Sequence, residues 1–142
     1  MPRKSTPGSQ YPPNWDEIAQ AVKDEAHWQC VRCGHFHDPL IGRMLGVHHL
    51  DMNPANCAWH NIPALCQVCH LVIQHKVVME QDWMFDHSVW FKPYAAAYYG
   101  VRAGLLPDTD NYFDSLLLVR REFVIAHLDY LLSLGLPQLV RS

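Results

Sequence analysis

Two cysteine pairs of identical spacing, Cys30-Val31-Arg32-Cys33-Gly34 and Cys66-Gln67-Val68-Cys69, constrain this chain more than any other feature. Two residues between cysteines let both thiolates reach one tetrahedral ion at about 2.3 Å, and a glycine after the knuckle permits the tight turn its backbone needs. Two such knuckles in one chain point to a structural zinc held by Cys30, Cys33, Cys66 and Cys69. The competing readings are a redox pair or buried free thiols. Redox pairs normally occur singly, among alternating strands and helices, and that setting is absent. A closed four-cysteine site holds a fold together and performs no chemistry itself. Cys57, the fifth cysteine, has no partner and reads as a buried thiol.

At 142 residues and 49% apolar content, the chain is one domain's worth and can bury a core. Its longest apolar runs fall far short of the roughly 20 residues that cross a bilayer, so no membrane span is expected. Residues 1–10 carry Arg3 and Lys4 without the apolar run of a secretory leader, which places the chain in the cytoplasm by default. Residues 1–76 hold six basic and six acidic side chains, so the second half supplies the whole net charge of −3. That balance argues mildly against a strongly basic nucleic-acid surface. Eight of the ten histidines and all five cysteines precede position 76, a clustering that requires a chemical reason.

Residues 1–13, rich in Pro, Ser and Gly, read as a flexible tail. Trp15, Ile18, Ala19 and Val22 form one stripe of a short helix that Asn14 can cap. Gly46 to Asp51 reads as a strand ended by the turn Asn53-Pro54-Ala55-Asn56, and Asn61 to Leu65 as a second strand. Helical spacing of Val68, Leu71, Val72, His75, Val78 and Met79 extends a helix from Cys66 to about Met79. Further on, Lys92 to Tyr99 predicts a helix with Pro93 in its first turn, ending near Gly104 and Pro107. A long helix is expected from Asp110 to Leu134, capped by Thr109 or Asp110 and closed by Gly135 and Pro137, forming a hairpin with its predecessor. Trp83, Trp90, Phe91, Tyr94, Tyr98 and Tyr99 fit a core better than a base-stacking surface. Arg120 and Arg121 read as a solvated face, with DNA contact as the second reading.

Between the knuckles, His48 and His49 are adjacent on the first strand, and His70 directly follows Cys69. Taken alone, each is an ordinary structural or surface histidine. Position changes that reading: zinc pins the helix turn carrying His70, and the strand lies inside the loop that zinc closes. Two imidazoles from different elements can then be presented to a second metal, leaving a third free. His27, His35, His37, His60, His87 and His127 keep the structural or surface reading, and Asp51 reads as a turn residue or as support for a neighbour.

These residues carry a family resemblance. Leu45-Gly46-Val47-His48-His49-Leu50-Asp51, followed by Asn61-Ile62-Pro63-Ala64-Leu65-Cys66-Gln67-Val68-Cys69-His70, resembles the HNH endonuclease motif on its ββα-metal scaffold, in the subset braced by a four-cysteine zinc. Tyr11 to Ile18 and His27-Trp28-Gln29-Cys30 also look like the lead-in of bacterial and phage members. The resemblance covers residues 11–76 and not residues 77–142.

It implies that His48 and His70 bind a catalytic divalent ion, that His49 is the general base, and that Asn61 holds the histidine loop. A neutral imidazole can take a proton from water at physiological pH, and such base catalysis contributes about 10²–10⁴-fold. Mg²⁺ or Mn²⁺ is the implied catalytic ion, and imidazole ligands also admit Ni²⁺ or Zn²⁺. Some relatives place a further His or Asp one helical turn after the final histidine. Here Gln74 stands there, as a weak oxygen ligand or a holder of water, and His75 points elsewhere. Arg43 and Lys76 are the expected contacts to the nucleic-acid backbone, against a reading as solvated surface.

The expectation is an α+β chain with three parts: a tail at 1–13, a zinc-braced, treble-clef-like ββα-metal HNH module at 14–80, and a helical extension at 81–142. The expected function is hydrolysis of phosphodiester bonds in DNA, and the extension offers a surface for a protein partner or homodimer. The alternative is a noncatalytic zinc-binding module for nucleic acid or protein.

Overall fold

A computed structural model describes residues 11–73 and 89–135. Helix α1 spans Trp15–Glu25 and buries Trp15, Ile18 and Val22, the expected stripe. Asn14 precedes it, but its side chain makes no capping bond; Asp16 and Glu17 in the first turn complement the helix dipole instead. The chain leaves α1 through His27 and Trp28 in the left-handed region, at φ 55° and 57°, and enters the first knuckle. A narrow ribbon follows, with bridges Gln29 to Phe36 and Asp38 to Arg43 around a tight turn at Pro39–Ile41.

Strand β1, Leu45–Val47, pairs antiparallel with β2, Ala64–Cys66, in the register Leu45 to Cys66, Gly46 to Leu65 and Val47 to Ala64. Both strands are shorter than the spans 46–51 and 61–65 expected from sequence. Pro63 has no N–H to give the ladder, so β2 begins after it. His48 and His49 therefore follow β1 instead of sitting within it. Two further bonds continue the pairing there, from His48 N–H to the Pro63 carbonyl at 3.2 Å and from Leu50 N–H to the Asn61 carbonyl at 2.8 Å. Asn61 ends a short 3₁₀ turn, Trp59–Asn61. Helix α2 is described over Gln67–Ile73. Its expected continuation to Met79, with Gln74, His75 and Lys76, lies outside the described residues, as do residues 1–10, Trp83, His87 and Pro137.

Helix α3, Lys92–Arg102, carries Pro93 in its first turn and stops before Gly104, whose φ is 78°, as expected. The single long helix expected over 110–134 is three short ones: α4, Tyr112–Leu118; α5, Arg121–Ala126; and α6, Leu128–Ser133. Neither Thr109 nor Asp110 caps α4. The Asn111 side chain does, accepting from Asp114 N–H at 3.0 Å. The first break has a tertiary cause: the Val119 carbonyl accepts the Trp59 indole N–H at 2.6 Å, while Arg120 adopts extended backbone. At the second, the His127 ring bonds the Phe123 carbonyl through Nδ1 at 2.9 Å and stacks on the Phe123 ring. A hairpin of two long helices is thus replaced by α3 packed against two of three short ones, α5 and α6.

Arg121 stands over the Trp59 ring at 4.7 Å and pairs with Glu25 at 3.4 Å, joining α5 to α1. One buried cluster runs from Trp15 through β1, β2 and α3 to Leu132. Leu131, 1% exposed in α6, closes that cluster against α3. Leu131→Ala is expected to cost about 2–5 kcal/mol. Urea unfolding would register this as an earlier midpoint with an unchanged slope, and an unmoved midpoint would contradict the packing described.

Candidate metal centre

The four Sγ atoms of Cys30, Cys33, Cys66 and Cys69 lie within 4.8 Å of one another. Cys33 and Cys66 are 3.7 Å apart. Bonds of about 2.3 Å to a tetrahedral ion imply a sulfur–sulfur edge of about 3.8 Å, so the cluster fits zinc. Local structure explains the convergence. The first knuckle turns on the Gly34 N–H to Cys30 carbonyl bond of 2.8 Å and is tied to β2 by Val31 N–H on the Ala64 carbonyl at 3.0 Å. Cys66 ends β2, and Cys69 sits in the first turn of α2.

Four thiolates on a divalent ion leave about two negative charges, and two guanidinium groups face them. Arg32 Nη1 is 3.3 Å from Cys69 Sγ, and Arg43 Nη1 is 3.5 Å from Cys66 Sγ and 3.8 Å from Cys33 Sγ. Burial works against the Cys66 thiolate, but hydrogen bonds from the Cys69 backbone and Arg43 outweigh it and bring the thiol down to about 6. The same contact raises the Arg43 guanidinium further above its usual range. Arg43, expected at a phosphate, thus lies on sulfur. The sequence signal for this role was weak: Arg32 stands inside the first knuckle, and Arg43 ten residues after Cys33.

Beyond the sulfurs, His48 and His70 approach to 4.4 Å between ring centroids, tilted by 54°. These two rings and His49, with Tyr11, Val47, Met52 and Pro54, line a cleft of about 260 Å³. Burial, reinforced by the neighbouring His70 and His49, pushes His48 down to about 4. Burial also lowers His49, against the opposing pull of Asp51, and lowers His70. All three are therefore neutral near pH 7, the state in which an imidazole nitrogen can bind a metal or accept a proton.

His49 is held from several sides. Its ring lies 4.9 Å from Trp15 and edge-on to Tyr11 at 5.7 Å. Its Nε2 is 3.8 Å from Cys57 Sγ, and the Cys57 thiol donates to the Pro54 carbonyl at 3.5 Å. Cys57 is buried as expected, and desolvation pushes its thiol up to about 11. Asn61 donates through Nδ2 to Asp51 Oδ1 at 2.8 Å and to the Asn56 carbonyl at 2.9 Å, and accepts from Asp51 N–H at 3.1 Å. It ties down the loop after His49. His37 is structural, accepting Leu45 N–H on Nδ1 at 2.9 Å. His60, expected in a loop, is buried beside Trp59. Comparison with family models, curated proteins and solved structures yields no match. Among the described residues no helix is long and apolar enough to cross a membrane.

Two outcomes test this geometry. The protein as purified is expected to hold one zinc per chain, and Cys66→Ser to lose both the metal and the cooperative melting transition, by elemental analysis and circular dichroism. A Cys66→Ser protein that keeps zinc would contradict the site. The second outcome concerns His60, which burial pushes from 6.5 down to about 4. The unfolded imidazole takes up a proton below pH 6.5 that the folded one refuses until about pH 4, so stability is full above that window and lost on descending through it. His60→Gln is expected to flatten the fall in urea stability between those pH values, and a slope equal to wild type would contradict the burial argument.

Proposed function

We propose that the chain is a metal-dependent endonuclease of the HNH type, hydrolysing phosphodiester bonds in DNA on a zinc-braced ββα-metal scaffold. The observation carrying this reading is the close approach of the His48 and His70 rings, 4.4 Å between centroids, with His49 lining the same cleft. His48 and His70 would hold a divalent ion, leaving positions open for substrate, and Mg²⁺ or Mn²⁺ is the expected occupant. Such an ion supplies Lewis-acid stabilisation to the scissile phosphate and the departing 3′ oxygen.

His49 acts as the base. Held neutral by burial, its imidazole keeps one unprotonated ring nitrogen, which can accept a proton from water. Trp15, Tyr11 and Cys57 fix the ring plane, and Asn61 keeps the Pro54 loop in place. Lys76 remains the proposed contact to the DNA backbone, since Arg43 is engaged on the cluster sulfurs. With few cations and a net charge of −3, binding is expected to weaken with salt.

Supercoiled plasmid incubated with Mg²⁺, Mn²⁺, Ni²⁺ or Zn²⁺ tests the reading. Nicking or linearisation is expected, and His49→Ala should lower it by at least about 10²-fold while zinc content and melting stay unchanged. Cleavage by His49→Ala at the wild-type rate removes His49 from its role. Absence of cleavage by the wild-type protein with every metal leaves a zinc-dependent binding module.

A further inference from the structure

We infer that the helical extension is a working part of the candidate centre: Asp110, Ser115 and Val119 hold the loop that aims His49. The inference rests on reading His49 as the base of the proposed reaction. The loop after His49 returns to the sheet at Asn61 and is fastened in two places. Near the sheet, Asn61 holds Asp51 and the Asn56 carbonyl.

The other fastenings come from the extension. Cys57 N–H donates to the Asp110 carbonyl at 2.8 Å, Trp59 N–H to Ser115 Oγ at 2.8 Å, and Trp59 Nε1 to the Val119 carbonyl at 2.6 Å. Ser115 is itself oriented, because its hydroxyl donates to the Tyr112 carbonyl at 2.8 Å and turns its lone pairs toward Trp59. Cys57, Trp59, Ser115 and Val119 are all at most 2% exposed, so water offers no substitute for these bonds. Cys57, fastened to the extension, is the residue of this loop whose Sγ meets the His49 ring, at 3.8 Å from Nε2, and its thiol also donates to the Pro54 carbonyl. A displaced Trp59 backbone moves Cys57, two residues away, and with it the sulfur that meets His49 Nε2. Ser115 is therefore a positioning residue, acting on substrate only through His49. The Arg121–Glu25 pair joins α5 to α1, and Arg121 meets this loop only through the face of the Trp59 ring.

The test compares Ser115→Ala, Ser115→Thr and Leu131→Ala in the full chain, below all their melting midpoints. Leu131→Ala removes stability from the extension without touching the loop. Ser115→Ala is expected to lower kcat on an oligonucleotide duplex with Mn²⁺ about tenfold, KM unchanged, whereas Ser115→Thr restores it. Leu131→Ala keeps wild-type kcat although it unfolds more easily. Independently of activity, the ring ¹⁵N shifts of His49 are expected to report one neutral tautomer in wild type and Ser115→Thr, and an average of two in Ser115→Ala. Wild-type kcat and ring shifts in Ser115→Ala overturn the inference, as does an equal loss of kcat in Leu131→Ala. If the wild-type chain cuts no nucleic acid with any metal, the endonuclease reading falls, and the ring shifts alone decide whether the extension sets His49.

Discussion

Closing four sulfurs on one ion joins two stretches of chain that share little other regular structure. The sheet between them has two strands of three residues each, and a two-stranded hairpin is marginal in water. Structural zinc binding contributes about 10–16 kcal/mol, as much as the whole net stability of about 5–15 kcal/mol typical of a domain. With Cys66 at the end of β2 and Cys69 in the first turn of α2, an ion held by the four sulfurs would fix the strand–helix junction. His70 takes its position from Cys69, its neighbour, and His48 from β1, which β2 holds. Arg32 and Arg43 offset the charge that this closure concentrates.

The rest of the chain braces the same region from behind. Trp59 is the link: its backbone and indole N–H groups both end on the helical extension, and Arg121 covers its ring. The turn it belongs to ends at Asn61, whose amide ties down the loop after His49. The buried cluster is accordingly continuous from α1 to α6. In the proposed endonuclease this makes the base a product of two supports, the zinc-pinned hairpin and the extension behind it.

What could be read from sequence was local. Knuckle spacing, the buried stripe Trp15, Ile18 and Val22, and the stop of α3 before Gly104 depend on neighbours a few positions apart, and each appears where expected. The approach of His48 and His70 was legible too, because the knuckles dictate it. The long helix failed for a nonlocal reason: its pattern through Phe113, Leu116, Phe123 and Leu128 is helical, but the Val119 carbonyl bonds an indole 60 residues away. The second strand starts later than its pattern suggests because Pro63 lacks a donor, a constraint that is itself local. Burial of His60 and the seating of Arg43 on sulfur arise from packing between distant elements, which periodicity does not report.

X-ray absorption on protein loaded first with zinc and then with one equivalent of nickel would examine both metal positions in one sample. Four sulfur neighbours at about 2.3 Å around zinc, with two imidazoles in the nickel shell, are the expected spectra. Mixed sulfur and nitrogen ligation at zinc, or a nickel shell without imidazole, would contradict a sulfur-held fold that brings His48 and His70 to one ion.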